Sequence, residues 1–169
     1  MTGSIVIEVL ASTHDRTRFS CGVEALDRYF QTQVTQDVRR RATACYVALD
    51  TATSHIAGYY TLSAASIPLI DMPEPLARRL PRYPAVPVAR VGRLAVDREW
   101  QGRRFGGALL WDAFMRARRS EVAVFALTVD AKDDAAEAFY RHHGFTAFGS
   151  LPRQFILPLA SITGQTARN

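Results

Sequence analysis

An α/β fold built on a mixed sheet is the architecture this 169-residue chain predicts, and three observations predict it. Residues 88–96 form an apolar, β-rich run that passes through a glycine-rich turn into a helical pattern. A second short apolar run, 122–129, follows that helix, which makes a strand–helix–strand unit. Upstream, the β-rich runs 44–49 and 55–63 flank a polar stretch, 50–54, as an antiparallel hairpin does.

In chain order, residues 5–10 read as a first strand. Residues 22–39 place Val23, Leu26, Tyr29, Phe30, Val34 and Val38 at helical spacing, as an amphipathic helix broken at most once. After the hairpin, six prolines between Pro68 and Pro87 make a surface connection with one short helix at 74–80, where Pro75 suits the first turn. The central helix spans about 103–118, with Ala108, Leu109, Leu110, Ala113, Phe114 and Ala117 at the spacing that packs it on a sheet. Asp133 or Asp134 caps a last helix that runs through His142, and Gly144 ends it in a left-handed conformation. β-rich runs 145–148 and 155–157 follow, and the tail after Ala160 is polar. This gives one domain over residues 1–160 and a tail over 161–169.

Composition narrows the function. The apolar run at the N-terminus is short, alternates with Glu8 and has no basic leader, so it reads as a strand and not a signal peptide; no stretch approaches bilayer length. That pattern predicts a cytoplasmic protein with no membrane contact. Cys21 and Cys45 read as small core residues, and the four histidines show no zinc-ligand spacing with them, so no metal is expected. The net charge is +5 and Lys132 is the only lysine. Arginine clusters at Arg39, Arg40 and Arg41, at Arg78, Arg79 and Arg82, and at Arg90 and Arg93 are suited to a polyanion, since a guanidinium fork matches phosphate. The same clusters also fit a solvated surface.

The segment Gln101-Gly102-Arg103-Arg104-Phe105-Gly106-Gly107-Ala108 is where a strand enters a helix through glycines. There the first helical N–H groups lack partners and the helix dipole adds positive charge, a combination that holds an anion. Neither a P-loop ending nor a Gly-x-Gly-x-x-Gly pattern is present, so the usual nucleotide enzymes are disfavoured.

Gln101, Arg104 and Gly106, taken with Ala136, Phe139, Tyr140, Gly144 and Phe145, resemble the motifs of the GCN5-related N-acetyltransferase family, and the likeness covers nearly the whole chain. It implies a central twisted, mostly antiparallel mixed sheet of six to seven strands, about four flanking helices, and strands that splay at the cofactor. It also implies acetyl-CoA as cofactor, with Leu94, Ala95 and Val96 pairing with the pantetheine arm and residues 101–108 holding the pyrophosphate. The family's middle glycine is Arg104 here. An αR residue at that point would keep its N–H donor and add a cation. Tyr140 takes the family's general-acid position, against the alternative of a core aromatic beside Phe139. Asp97, Glu99 and Asp130 are acidic but read as caps or surface charges rather than as a base.

A narrower likeness, in Phe19-Ser20-Cys21-Gly22-Val23, Leu26-Asp27, Tyr29-Phe30, Gly58-Tyr59-Tyr60 and residues 88–97, is to the acetyltransferase toxins of bacterial toxin–antitoxin pairs. It implies acetylation of the α-amine of aminoacyl-tRNA, a ribbon-helix-helix antitoxin as inhibitor, and a homodimer. The alternatives are a protein N-terminus or a small amine as acceptor, or a non-catalytic module that binds acyl-CoA or RNA.

Overall fold

The computed structural model describes residues 3–160. Strand order is β1-β2-β3-β4-β5-β7-β6, with β1 Ile5–Val9, β2 Ala44–Asp50, β3 Ile56–Pro68, β4 Ala85–Val96, β5 Ala126–Asp130, β6 Thr146–Ala147 and β7 Gln154–Pro158. β1–β2, β2–β3, β5–β7 and β6–β7 pair antiparallel, and β4–β5 pair parallel through the crossover helix α4, Phe105–Arg119. The predicted hairpin and strand–helix–strand unit are therefore both present. The chain divides into two compact units, one of residues up to Ser63 together with Gly92–Ala113, the other of Ala64–Val91 together with the chain from Phe114 onward.

In the first unit the predicted N-terminal helix is broken once. α1, Glu24–Arg28, passes into a π-helical turn, Tyr29–Gln33, and resumes as α2, Val34–Arg39. The apolar stripe explains why this arm stays docked. Phe30 lies flat on Tyr59, with centroids 4.2 Å apart and planes 9° apart, and Phe19 meets both rings edge-on. Val34, Val47, Ile56 and Cys45 complete this core. Burial of such aromatic rings contributes roughly 1.5–3 kcal/mol per side chain.

Burial pushes the Cys45 thiol up to about 12 from its ordinary 9.0, and the Tyr59 phenol is raised by burial as well. A folded state that prefers the protonated forms is stabilised below the unfolded values and loses that stabilisation as pH rises through the folded ones. The urea midpoint is therefore expected to be flat from neutrality to about pH 9 and to fall steadily above it. A midpoint unchanged well above that window contradicts the assignment.

In the second unit, the proline-rich segment holds the short helix α3, Glu74–Ala77, with Pro75 in its first turn as anticipated. It ends sooner than the predicted 74–80, and Pro87 lies inside β4. The strand predicted at 122–129 starts only at Ala126, and Val122 is exposed. α5, Asp134–His142, is capped by Asp133, whose carboxylate accepts the Ala136 N–H at 2.8 Å. Gly144 has φ +92°, the left-handed exit its sequence position requires. The 161–169 tail lies outside the described residues.

Candidate active site

β4 carries the feature on which the site depends. Its parallel register with β5 covers only Val88–Val91. Beyond that point the N–H of Arg93 goes to the Thr61 hydroxyl at 3.0 Å and the N–H of Asp97 to the Ala57 carbonyl at 2.8 Å. Alternation along a strand then turns the amides of Leu94 and Val96 to the opposite edge. The Ala95 carbonyl lies on the β3 side, over Gly58, and the Ala95 side chain is buried. Of the three predicted pantetheine-pairing residues, Leu94 and Val96 thus present the outward edge. Gly92 and Thr61 make this possible: a Cβ at Gly92 would lie 3.1 Å from the Thr61 hydroxyl oxygen. A glycine inside a strand pattern is the sequence signal for such a departure, one that hydrophobic alternation does not register.

The turn after β4 is tightly built. Asp97 caps a 3-10 turn, Arg98–Trp100, by accepting the Glu99 N–H at 3.0 Å, while its other oxygen accepts the Ser20 N–H at 3.0 Å. Both oxygens are engaged, so Asp97 is a clamp on the N-terminal arm, as a capping role required. Gln101 donates to the carbonyls of Cys21 (2.8 Å) and Val96 (2.9 Å), which fixes the end of the strand. The Arg103 guanidinium sits 5.2 Å from the Trp100 ring, and Trp100 meets Phe105 edge-on.

Two expectations about this turn are corrected. α4 begins at Phe105, not at 103, and Arg104 is not αR but has φ +66°. Gly102, at φ +78°, shares that left-handed geometry, and nothing lies within 4 Å of where its Cβ would be. The family's glycine at position 104 is thus explained by backbone conformation, and arginine there costs about 1–2 kcal/mol. The Ala108 N–H bonds the Arg104 carbonyl at 3.3 Å. The amides left without intrahelical partners are those of Phe105, Gly106 and Gly107, grouped at the positive end of a 15-residue helix.

Tyr140, in the second unit, is buried among the rings of Phe139, Phe145 and Phe155. Its hydroxyl has no hydrogen-bond partner among the described residues. Burial, and then the nearby Asp130 carboxylate, push it up to about 12, so at neutral pH it is a proton donor and never a phenolate. Asp130 pairs with Arg90. Cys21 and Cys45 are buried and form no disulfide, as expected of core residues.

The arginine clusters separate by environment. Arg39, Arg40 and Arg41 are exposed at the end of α2, where their charge also suits the helix dipole. Arg79 and Arg82 are exposed, and Arg78 pairs with Glu74 at 2.6 Å. Arg90 and Arg93, expected as one cluster, have different partners. The Arg93 guanidinium sits 3.5 Å from the centre of the Tyr29 ring, and Arg90 pairs with Asp130. Among the described residues no group of three or more His, Cys, Asp or Glu is placed to hold a metal ion, and no helix is long and apolar enough to cross a membrane.

The model of the acetyltransferase (GNAT) family matches residues 10–145. The chain is 31% identical over 159 residues to a tRNA-acetylating toxin of Mycobacterium tuberculosis, with 93% of each chain covered. It is 29% identical over 167 residues to a probable toxin TacT of Sinorhizobium fredii, covering 93% of this chain and 92% of the relative. Among solved structures, AtaT complexed with acetyl-methionyl-tRNAfMet superposes with a TM-score of 0.90 at 27% identity, over 96% of this chain and 99% of that one. A tyrosine-to-phenylalanine mutant of AtaT, bound to acetyl-CoA and the C-terminus of the antitoxin AtaR, gives 0.79 at 26% identity, over 96% and 98%.

Proposed function

Because the chain belongs to the acetyltransferase (GNAT) family, we propose that it is an acetyl-CoA-dependent toxin that acetylates the α-amino group of aminoacyl-tRNA and so blocks translation. The observation that carries the cofactor is the outward edge at Leu94 and Val96 leading into the free amides of Phe105, Gly106 and Gly107. A diphosphate fits that cluster of donors, and the open space at Gly102 leaves room for it. The acceptor is carried by relatives matched over nearly their full length.

Acetyl-CoA supplies an activated thioester. An outward main-chain N–H at Leu94 or Val96 would donate where negative charge develops on the thioester oxygen, a contribution of about 3–4 kcal/mol when preorganised. Tyr140 holds its proton and gives it to the departing thiolate. No carboxylate base is required, because a free α-amine titrates at ~7.7–8.0, the adjacent ester lowers it further so that it is largely neutral, and water carries off the proton the nitrogen loses as the amide forms. Asp97, fully engaged as a clamp, is removed from consideration as that base.

The RNA backbone is held by Arg39, Arg40 and Arg41, with Arg79 and Arg82 as further binding groups. A ribbon-helix-helix antitoxin restrains the enzyme, which works as a homodimer in the cytoplasm, with residues 1–160 as one catalytic domain. The test incubates purified protein with labelled acetyl-CoA and a pool of aminoacylated tRNAs. Label is expected on the amino acid of charged tRNA; label only on protein or small amines overturns the acceptor. Replacing Arg39, Arg40 and Arg41 together by alanine is expected to raise the KM for tRNA. The slope of log affinity against log salt is expected to become shallower by about 0.7–0.9 for each phosphate that is no longer neutralised. The KM for acetyl-CoA is expected not to move.

A further inference from the structure

Arg93 stands next to Leu94 on β4 and differs from the other arginines that the fold holds in place. Arg16 donates to the Phe30 carbonyl at 2.7 Å and Arg153 to the Asp134 carboxylate at 3.0 Å, while Arg28, Arg78 and Arg90 pair with Glu24, Glu74 and Asp130. The half-buried Arg93 guanidinium sits over the Tyr29 ring, 3.5 Å from its centre. Among the described residues it pairs with no carboxylate and donates to no oxygen. A ring face attracts the charge but offers nothing to the N–H fork. A partly desolvated cation in that state is matched to an anion from outside the chain, and its planar fork suits phosphate.

The ring that carries the guanidinium is fixed on several sides. Tyr29 opens the π-helical turn, and its hydroxyl donates to the Asp37 carboxylate on α2 at 2.8 Å. That bond holds Asp37 at the far end of the ring, so its charge does not pair with Arg93. At the same turn the Gln31 side chain donates to the Phe19 carbonyl at 2.9 Å, and Arg16 holds the Phe30 carbonyl. Alternation along β4 puts Arg93 on the same face as Ala95, which is buried with Tyr29 in one core. The Arg93 N–H is bonded to Thr61 at 3.0 Å, and the neighbouring Leu94 N–H faces the outward edge. Tyr29, Asp37, Thr61, Arg93 and Leu94 all belong to the first unit.

Resting on the aminoacyl-tRNA reading above, we propose that Arg93, held ready on Tyr29, binds one phosphate of the single-stranded 3′ end of the acceptor and so sets its aminoacyl ester beside the Leu94–Val96 edge. Tyr29 is the positioning residue, and Asp37 acts through it. Coenzyme A also carries phosphates. Its diphosphate, however, has donors of its own in the free amides of Phe105, Gly106 and Gly107, which leaves the fork of Arg93 for the acceptor strand.

Two variants of the full chain test this. Arg93→Met keeps an unbranched stem over the ring and removes the charge; Arg93→Lys keeps the charge and loses the fork. The measurements are the KM for the aminoacyl-tRNA that the enzyme labels, the Kd of that tRNA uncharged over a range of NaCl concentrations, and the Kd for acetyl-CoA by calorimetry. Arg93→Met is expected to raise the KM about 10–100-fold, the scale of a lost charge-assisted hydrogen bond. Its slope of log affinity against log salt is expected to be shallower by about 0.7, the value for one single-strand phosphate. Arg93→Lys is expected to keep the wild-type slope and to raise the KM less than Arg93→Met does. The Kd for acetyl-CoA is expected to equal the wild type in both. An unchanged slope in Arg93→Met overturns the phosphate contact and reduces Arg93 to packing on Tyr29. A weakened Kd for acetyl-CoA gives the charge to the coenzyme and overturns it as well. A wild-type protein that binds acetyl-CoA yet labels no aminoacyl-tRNA overturns the reading on which the proposal rests.

Discussion

Replacing Tyr140 by phenylalanine is expected to lower kcat for acetyl transfer by about 10²–10⁴-fold, the contribution of a positioned general acid. The Kd for acetyl-CoA and the thermal midpoint are expected to stay near the wild-type values. The reason lies in what the hydroxyl does in the resting protein. The ring carries the packing against Phe139, Phe145 and Phe155, and phenylalanine keeps that ring. The substitution removes no internal hydrogen bond, because the hydroxyl has no partner among the described residues, so no buried group is left unsatisfied. With its titration pushed up to about 12, the phenol also adds no ionisation near neutrality. The pH profile of the wild-type enzyme is therefore expected to rise with deprotonation of the substrate amine, below ~8 because of the adjacent ester, and to show no falling limb from Tyr140 until far above it. A variant that keeps a third or more of wild-type kcat would reduce Tyr140 to a packing residue.

The sequence made the architecture legible because its signals are local and mutually consistent. Strand–turn–helix order, the Asp133 cap and the Gly144 exit each follow from the residues on the spot. The departures have a common cause. Residues 122–125 read as strand by hydrophobicity alone, yet β5 begins at Ala126, and of that run only Phe125 bonds its neighbours, its N–H donating to the Pro87 carbonyl at 2.9 Å and its carbonyl accepting the Leu159 N–H at 3.1 Å. Periodicity cannot see whether a partner is there. The same limit applies in the site. The composition of the turn pointed to an anion cradle, but which amides are free depends on where α4 starts, and that is set by the left-handed backbone of Gly102 and Arg104. Gln101 carried a cofactor expectation from its motif, while its side chain bonds the Cys21 carbonyl, 80 residues away in sequence. Arg90 and Arg93 looked like one basic patch until the fold gave each a different partner, Asp130 and Tyr29. Long-range pairings of this kind leave no trace in spacing.

Gly58→Val is expected to damage both stability and function, although the position itself touches no ligand. A Cβ at Gly58 would fall 2.8 Å from the Ala95 carbonyl oxygen and 2.8 Å from a methyl of Leu109. The first of these is backbone, so the strand itself must move to relieve the clash. Overpacking of this type costs about 1–3 kcal/mol, which is read as a lower urea midpoint at unchanged slope. The strand that must yield is the one that presents Leu94 and Val96, so a functional loss is coupled to the structural one. Misplacement of a positioning backbone by about 1 Å can cost 10²-fold, and kcat/KM for acetyl-CoA is expected to fall by more than the loss of folded protein accounts for. Gly102→Ala is the informative contrast. Its Cβ meets nothing within 4 Å, but its φ of +78° is unfavourable for alanine, so it is expected to cost about 1–2 kcal/mol through the backbone alone without displacing β4. If Gly58→Val keeps both the midpoint and the acetyl-CoA parameters of the wild type, β4 is not held against β3 at Ala95, and the outward edge at Leu94 and Val96 loses its support.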